Sequence, residues 1–322
     1  MSARKPGRAR SREELMVPDA EFQSYYGRPV LKPPVWEWKV PAYLFTGGLA
    51  AGTSLLAAGA DLTGRPRLRR VGRTGSMAAL LASVYLLVAD LGRPERFHHM
   101  LRVAKPTSPM SVGTWILTAF GPGMGIAAAA EVLPAGLRRR WPGKLLGAVA
   151  RPAGLASALV APAVASYTAV LLSQTAVPAW HEAHPQLPFV FTGSAAASSG
   201  GFAMVLVPVE EAGPARALAA MGAVAELVSS KVLEQRLGLT AEAYTTGKAH
   251  RLRKWSERLT AAGLLGALAG HRSRALSVAA GAALFAGSAL QRFGVFEAGV
   301  ASTKDPKYVV VPQRQRADAA EG

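Results

Sequence analysis

TGSMAALLASVYLLVA (residues 74–89), DLGRP (90–94), SPMS (108–111) and VGTWILTAFGPGMGIAAAA (112–130) follow one another closely along the chain. Neither apolar stretch carries a charge. As helices rising ~1.5 Å per residue they extend roughly 24 and 28 Å, close to the ~30 Å hydrocarbon core of a bilayer. The segment that joins two membrane helices need only be polar. This one has Asp90 at the end of the first run, a Gly92-Arg93-Pro94 stop, and a Ser108-Pro109-Met110-Ser111 start to the second. Proline and glycine end one helix and open the next. So much specified chemistry at a membrane surface points to a site as well as a connection.

Outward from this pair, the apolar residues keep falling into blocks of membrane-crossing length. Eight spans are expected, at about residues 40–60, 71–89, 111–133, 152–177, 187–209, 215–232, 255–269 and 275–295. The sixth contains Glu226, and the seventh is short and begins among charges. The expected fold is an all-α integral membrane protein, an eight-transmembrane-helix bundle. Residues 1–39 form a polar N-terminal tail, 40–298 the transmembrane domain and 299–322 a C-terminal tail. Mean hydropathy is only +0.19, because Ala and Gly fill the spans and arginines fill the connectors. Small residues let helix backbones approach closely in lipid, so this bias suits a packed bundle. Pro41, Pro122, Pro162 and Pro208 lie in or at the ends of spans, where neighbouring helices satisfy the freed backbone groups.

The chain has no cysteine, which excludes disulfides, Cys-ligated iron–sulfur clusters and thiolate catalysis within it. A net charge of +17 would suggest nucleic acid in a soluble protein. Here the Lys and Arg residues stand between apolar blocks, where they set topology or meet membrane lipid, and no nucleic-acid partner is expected. No signal peptide is visible, and the first 20 or so residues have the composition of a disordered segment.

Connectors 61–73 and 134–151 each hold five positive charges. The raw count of Lys and Arg favours termini inside, but much of it lies in long tails, which weigh little in the positive-inside rule. Connector density puts those two connectors in the cytoplasm. The expected location is a cell membrane, crossed many times, with both termini outside. Eight crossings also put Trp36-Glu37-Trp38, residues 90–111, Trp180–His184, Lys248–Trp255 and Ser302–Pro306 on one face. The other face has mainly arginine-rich turns.

His98, His99, His181, His184, His250 and His271 all fall in connectors or near helix ends. A membrane haem needs an axial pair inside facing spans, so no haem is expected. His181 and His184 around Glu182 read as a hydrated loop sooner than as metal ligands. Asp90 reads either as a helix stop paired locally with Arg93 or as a ligand contact, since an acid at the hydrocarbon edge needs a partner. Ser108 and Ser111 have the form of helix caps. Tyr43, Tyr85 and Tyr167 lie within spans, where a phenol seeks a hydrogen-bond partner. Trp36 and Trp38 suit interface anchors. Glu226, inside a span, and Asp61, at the end of one, are candidates for proton handling.

Taken together, the landmarks resemble those of the NrfD family, the integral membrane subunits of polysulfide-reductase-type molybdoenzyme complexes. The resemblance runs from about Tyr25 to Pro312. It rests on Trp36 with the run Tyr43–Gly52, on residues 90–94 and 108–111, on Tyr167–Leu172 leading to Pro178-Ala179-Trp180, and on Gly299, Ser302 and Asp305-Pro306. It implies a bundle that binds menaquinone or ubiquinone near a docked ferredoxin-like 4Fe-4S subunit, with a molybdenum or tungsten catalytic subunit beyond. In the family the quinone site draws on a polar residue early in helix 1 and a tyrosine in helix 4, here matched by Tyr43 and Tyr167. Tyr43 stands where relatives have a histidine, and Val40 replaces a nearby polar residue. Asp90, Arg93 and Ser108 complete the expected quinone site. A passive anchor without quinone chemistry is the first alternative. A secondary transporter is the second, although no internal repeat is visible.

Overall fold

A computed structural model describes residues 29–270 and 272–321. The expected disorder of the first 20 or so residues and the placement of His271 lie outside the described residues. Within them there is no strand, and eight helices have 20 to 33 residues. They are α1 (Lys39–Leu62), α2 (Pro66–Ala89), α3 (Pro109–Val132), α4 (Trp141–Ser173), α5 (Leu187–Leu206), α6 (Gly213–Arg236), α7 (Gly247–Ala269) and α8 (Arg274–Lys304), followed by α9 (Lys307–Glu321). Helices α2 to α6 each have proline in the first two positions, where its fixed φ suits a helix and its missing N–H is not needed.

Six helices, α1 to α5 and α8, are long and apolar enough to cross a membrane. The chain is therefore a multi-pass helical membrane protein. The expected count of eight spans is not reached on this criterion, and the reason is charge. α6 carries Arg216, Glu226, Lys231, Glu234 and Arg236, and the first half of α7 carries Lys248, Arg251, Arg253, Lys254, Glu257 and Arg258. Trp255 is 57% exposed, with the Arg258 guanidinium 5.4 Å from its ring centroid, the combination expected at a membrane interface. The apolar part of α7 then extends only from residue 259 to 269, roughly 16 Å of helix.

Two other boundaries differ from expectation. α4 starts at Trp141 and not near residue 152, and α8 runs to Lys304, past the tail boundary set at 298. Charged residues end the hydrocarbon, not the helix. Gly299 and Ser302 are consequently buried parts of the bundle.

α1 is the central helix. It packs against α2, α4, α5 and α8, and 78% of its most apolar stretch is buried, against 28% for α3. Gly47, Gly48, Ala50, Ala51 and Gly52 let those neighbours approach. The arginine-rich face is also more organised than bare turns. Glu131 accepts from Arg69 Nε at 2.7 Å and from Arg73 Nη1 at 3.0 Å. Asp61 pairs with Arg151 at 3.2 Å, Arg73 at 3.5 Å and Arg69 at 3.6 Å. This network fastens the ends of α1, α2, α3 and α4 together.

Candidate functional site

α2 ends at Asp90, and the chain then makes an exposed 3-10 helix, Pro94–Arg102, with no buried residue. Its return is pinned to the start of α3. Ser111 Oγ donates to the Val103 carbonyl and accepts from the Lys105 amide, both at 2.9 Å, and Trp115 Nε1 donates to the same carbonyl at 3.1 Å. Ser111 is thus a tie for the connector and not a cap. Ser108 does stand at the N-cap position of α3, but its side chain makes no cap hydrogen bond. Pro109, which follows, has no N–H to offer.

Beneath this connector lies a cavity of about 230 Å³. Tyr43 and Val40 of α1, Leu87 of α2, Gly113 and Leu117 of α3, and Tyr167 and Leu171 of α4 line it, with Asp90, Gly92, Met100 and Trp36 at its mouth. Tyr43 is 5% exposed. The Tyr167 ring lies directly against Gly113, and a Cβ at that position would collide with it. Among the described residues neither phenolic hydroxyl has a hydrogen-bond partner. Burial pushes the Asp90 carboxyl above the usual carboxylate range, against the opposing pull of Lys39.

The expected site residues divide accordingly. Tyr43, Tyr167 and Asp90 come together around one cavity. Arg93 is exposed outside it and forms no ion pair with Asp90, so the expected local pair is absent among the described residues. Ser108 lines an adjoining cavity of about 310 Å³ with His99 and Lys105, and Met100, Met110 and Thr114 wall both. Tyr85 is 72% exposed and faces away. Glu226 lies in α6, apart from this cavity, and Asp61 belongs to the opposite face.

The remaining landmarks form a joint beside the cavity. Trp36 stacks on Trp180 at 5.6 Å and is not a free interface anchor, whereas Trp38, 60% exposed, suits that role. Trp180 is fully buried, donates to the Val295 carbonyl at 2.8 Å, and lies directly against Gly299, where a side chain would not fit. The Ala179 amide donates to Ser302 Oγ at 3.2 Å, and Tyr244 donates to the Ala179 carbonyl at 2.8 Å. A tyrosine in a polar connector carries no local signal of a contact 65 residues away, so the role of Tyr244 is visible only in the structure. His181 Nδ1 lies 3.0 Å from the Ser173 carbonyl at the end of α4. Among the described residues no three His, Asp or Glu side chains gather as a metal site would require.

Helices long enough to cross a membrane, with a small cavity among the specified connectors of one face, define a multi-pass helical membrane protein. The sequence comparison names the family. A family model described as polysulphide reductase, NrfD, matches residues 29–227, and the chain belongs to this family of membrane subunits of polysulfide reductase-like complexes. A comparison with curated proteins gave no match. The match includes the whole cavity and stops one residue beyond Glu226. The Gly299, Ser302 and Asp305-Pro306 landmarks lie outside it, so it is shorter than the expected resemblance to Pro312.

Proposed function

We propose that this chain is the quinone-reactive subunit of a molybdoenzyme oxidoreductase complex, exchanging electrons between menaquinone or ubiquinone and a docked ferredoxin-like 4Fe-4S subunit. A molybdenum or tungsten catalytic subunit would sit beyond that relay. The observation that carries the reading is one cavity with apolar walls, lined by two unpartnered phenols and, at its mouth, one carboxyl. A quinone head group is a flat apolar ring with two carbonyl acceptors, which these side chains suit. The volume, about 230 Å³, is below the ~300–1,000 Å³ usual for whole small-molecule sites. It suits the ring alone, with the isoprenoid chain left in lipid.

When bound, the quinone supplies a carrier of two electrons and two protons. The protein's part is to bind, orient and move protons. Tyr43, fixed in the buried α1, and Tyr167, oriented by Gly113, donate to the carbonyl oxygens. Asp90 holds or passes a proton between the head group and water on the connector face. Arg93 and Ser108 belong to the rim. Phe97, Leu101, Val103 and Met110 are exposed apolar side chains beside Arg93, Arg96 and Arg102. An apolar centre with a charged rim is the pattern of a docking surface, and this one is assigned to the iron–sulfur subunit.

We further infer that α6 and α7 complete eight crossings, with the connector face outside a cell membrane, as the charge density of the opposite connectors indicates. Proton handling falls to Glu226 and not to Asp61, because Asp61 is engaged by three arginines in a structural joint. Tyr167→Phe in the assembled complex tests the site. Loss of one hydrogen bond to the head group, ~1.4 kcal/mol, lowers quinol-linked turnover about tenfold with assembly unchanged. Unchanged turnover would remove Tyr167 from the site. A quinone titration of the purified protein that never saturates would leave a passive anchor.

A further inference from the structure

α6 and α7 enclose between them a cavity of about 550 Å³, separate from the one just described. Its outer part is charged, lined by Lys231 and Glu234 of α6 and by His250, Arg253 and Lys254 of α7. Its inner part holds Glu226, with Ser256, Glu257 and Ala261 of α7 and Gln291 of α8 around it. From the start of α7 at Gly247 to Ser256 is roughly 14 Å of helix. The cavity therefore descends from the connector face through about half of the ~30 Å hydrocarbon core, and Glu226 lies at that depth.

Glu226 is 2% exposed, yet its contacts are long. Thr260 and Ser288 hydroxyls lie 3.4 Å from its carboxyl oxygens and Ser256 lies at 3.5 Å. Ser256 has a single hydroxyl hydrogen and a better acceptor in the Gly287 carbonyl at 2.8 Å. Ser194 faces the carboxyl from α5, and Arg292 is the charged side chain that acts on it from α8. No ion pair within 4.0 Å joins Glu226 to Arg292 among the described residues. The Arg292 guanidinium instead donates to the Phe191 carbonyl at 2.7 Å and stacks over the Phe191 ring at 3.7 Å, while its Nε and Nη1 have no protein partner. A buried carboxyl with neither an ion pair nor a short hydrogen bond is costly to keep as an anion. A polar cavity of this size is roomy enough for several waters, which supply both the missing hydrogen bonds and a path for a proton.

We propose that the α6–α7 cavity is an aqueous proton inlet and that Glu226 at its blind end is a proton-loading site in exchange with the connector face alone. The assignment deepens the proton-handling role given to Glu226 and is independent of the quinone reading. It supplies the sidedness and the route. Because the chain contains no cysteine, single cysteines report access directly. In full-length protein reconstituted into vesicles of one orientation, a membrane-impermeant thiol reagent is expected to modify Ser230→Cys and Ala261→Cys, both on the cavity wall, from the same side as His98→Cys. Leu268→Cys, on the lipid-facing surface of α7, is expected to resist it. In parallel, infrared difference spectra across a pH jump are expected to show a carboxyl C=O band that follows the pH of the connector side. The band is lost in Glu226→Gln and shifted in Glu226→Asp. Size-exclusion profiles check that each variant is folded. Labelling of both wall cysteines only from the Arg139→Cys side, or a pH-dependent band that survives Glu226→Gln, overturns the proposal. Quinol-linked turnover is read separately, so failure here leaves the quinone reading standing.

Discussion

Gly113 has no side chain because the Tyr167 ring occupies that space. Gly113→Ala is therefore expected to displace the ring and lower quinol-linked turnover as much as Tyr167→Phe does, about tenfold for one lost hydrogen bond. Combining the two changes should add little, because both act on one contact. Asp90 gives a pH signature. Its folded carboxyl sits above the usual carboxylate range because of burial, so turnover that needs the ionised form falls as pH drops through that raised value. Asp90→Asn is expected to flatten this acid limb in a pH–rate profile; an unchanged limb would exclude Asp90 as the proton acceptor. Burial also raises the Tyr244 phenol. The folded state then holds its proton more tightly than the unfolded chain, whose phenol titrates near ~10. Stability from this group is complete below that pH and is lost as pH rises toward the folded value. Thermal melts from pH 9 to 11 should show a steeper decline for the natural chain than for Tyr244→Phe. Tyr43, Tyr167 and Asp90 were legible in the sequence because each is costly in or beside a span without a partner. Tyr244 was not, since nothing local marks a partner at Ala179.

Apolar runs located the helices well but bounded them poorly, and the errors have one cause. Hydropathy measures where lipid stops, and backbone hydrogen bonding continues beyond it. Hence α4 gains its first turns, with Lys144 and Arg151, and α8 gains Gly299 and Ser302. Those extra turns carry the joints at both faces. On the arginine-rich face, the Glu131 side chain is only 9% exposed and serves both Arg69 and Arg73. Removing one partner of a buried pair costs ~3–5 kcal/mol because the others keep uncompensated charge. Glu131→Gln is expected to lie near the low end, since Arg69 is 34% exposed, and to lower the melting temperature clearly. Lys307→Ala breaks a pair with Glu242 whose partners are 36% and 48% exposed, and is expected to cost less than ~1 kcal/mol. Equal effects in a melting assay would contradict this reading of the network.

Over the whole molecule, the arrangement is asymmetric. The connector face holds the cavity under residues 90–111, the mouth of the α6–α7 cavity and the Trp180 joint. The other holds the ion-pair network. One labelling experiment checks both sidedness and the crossing of α6 and α7. Thr245→Cys, in the connector between those helices, is expected to react from the same side as His98→Cys, with Arg139→Cys reacting from the other. Thr245→Cys labelling with Arg139→Cys would mean that this helix pair does not cross as proposed. The Trp180 joint has a further meaning for how the protein is made. The indole of Trp180 finds its acceptor at Val295, and the Ala179 amide finds its own at Ser302, contacts spanning 115 and 123 residues. A ribosome delivers residue 180 long before residue 302, so the finished face must wait for the last turns of α8. Until then the indole N–H of Trp180 and the Ala179 amide stand without these acceptors beside the cavity. Interrupted synthesis within α8 would leave a visible mark for quality control, and docking of a partner on that face would follow completion of the chain.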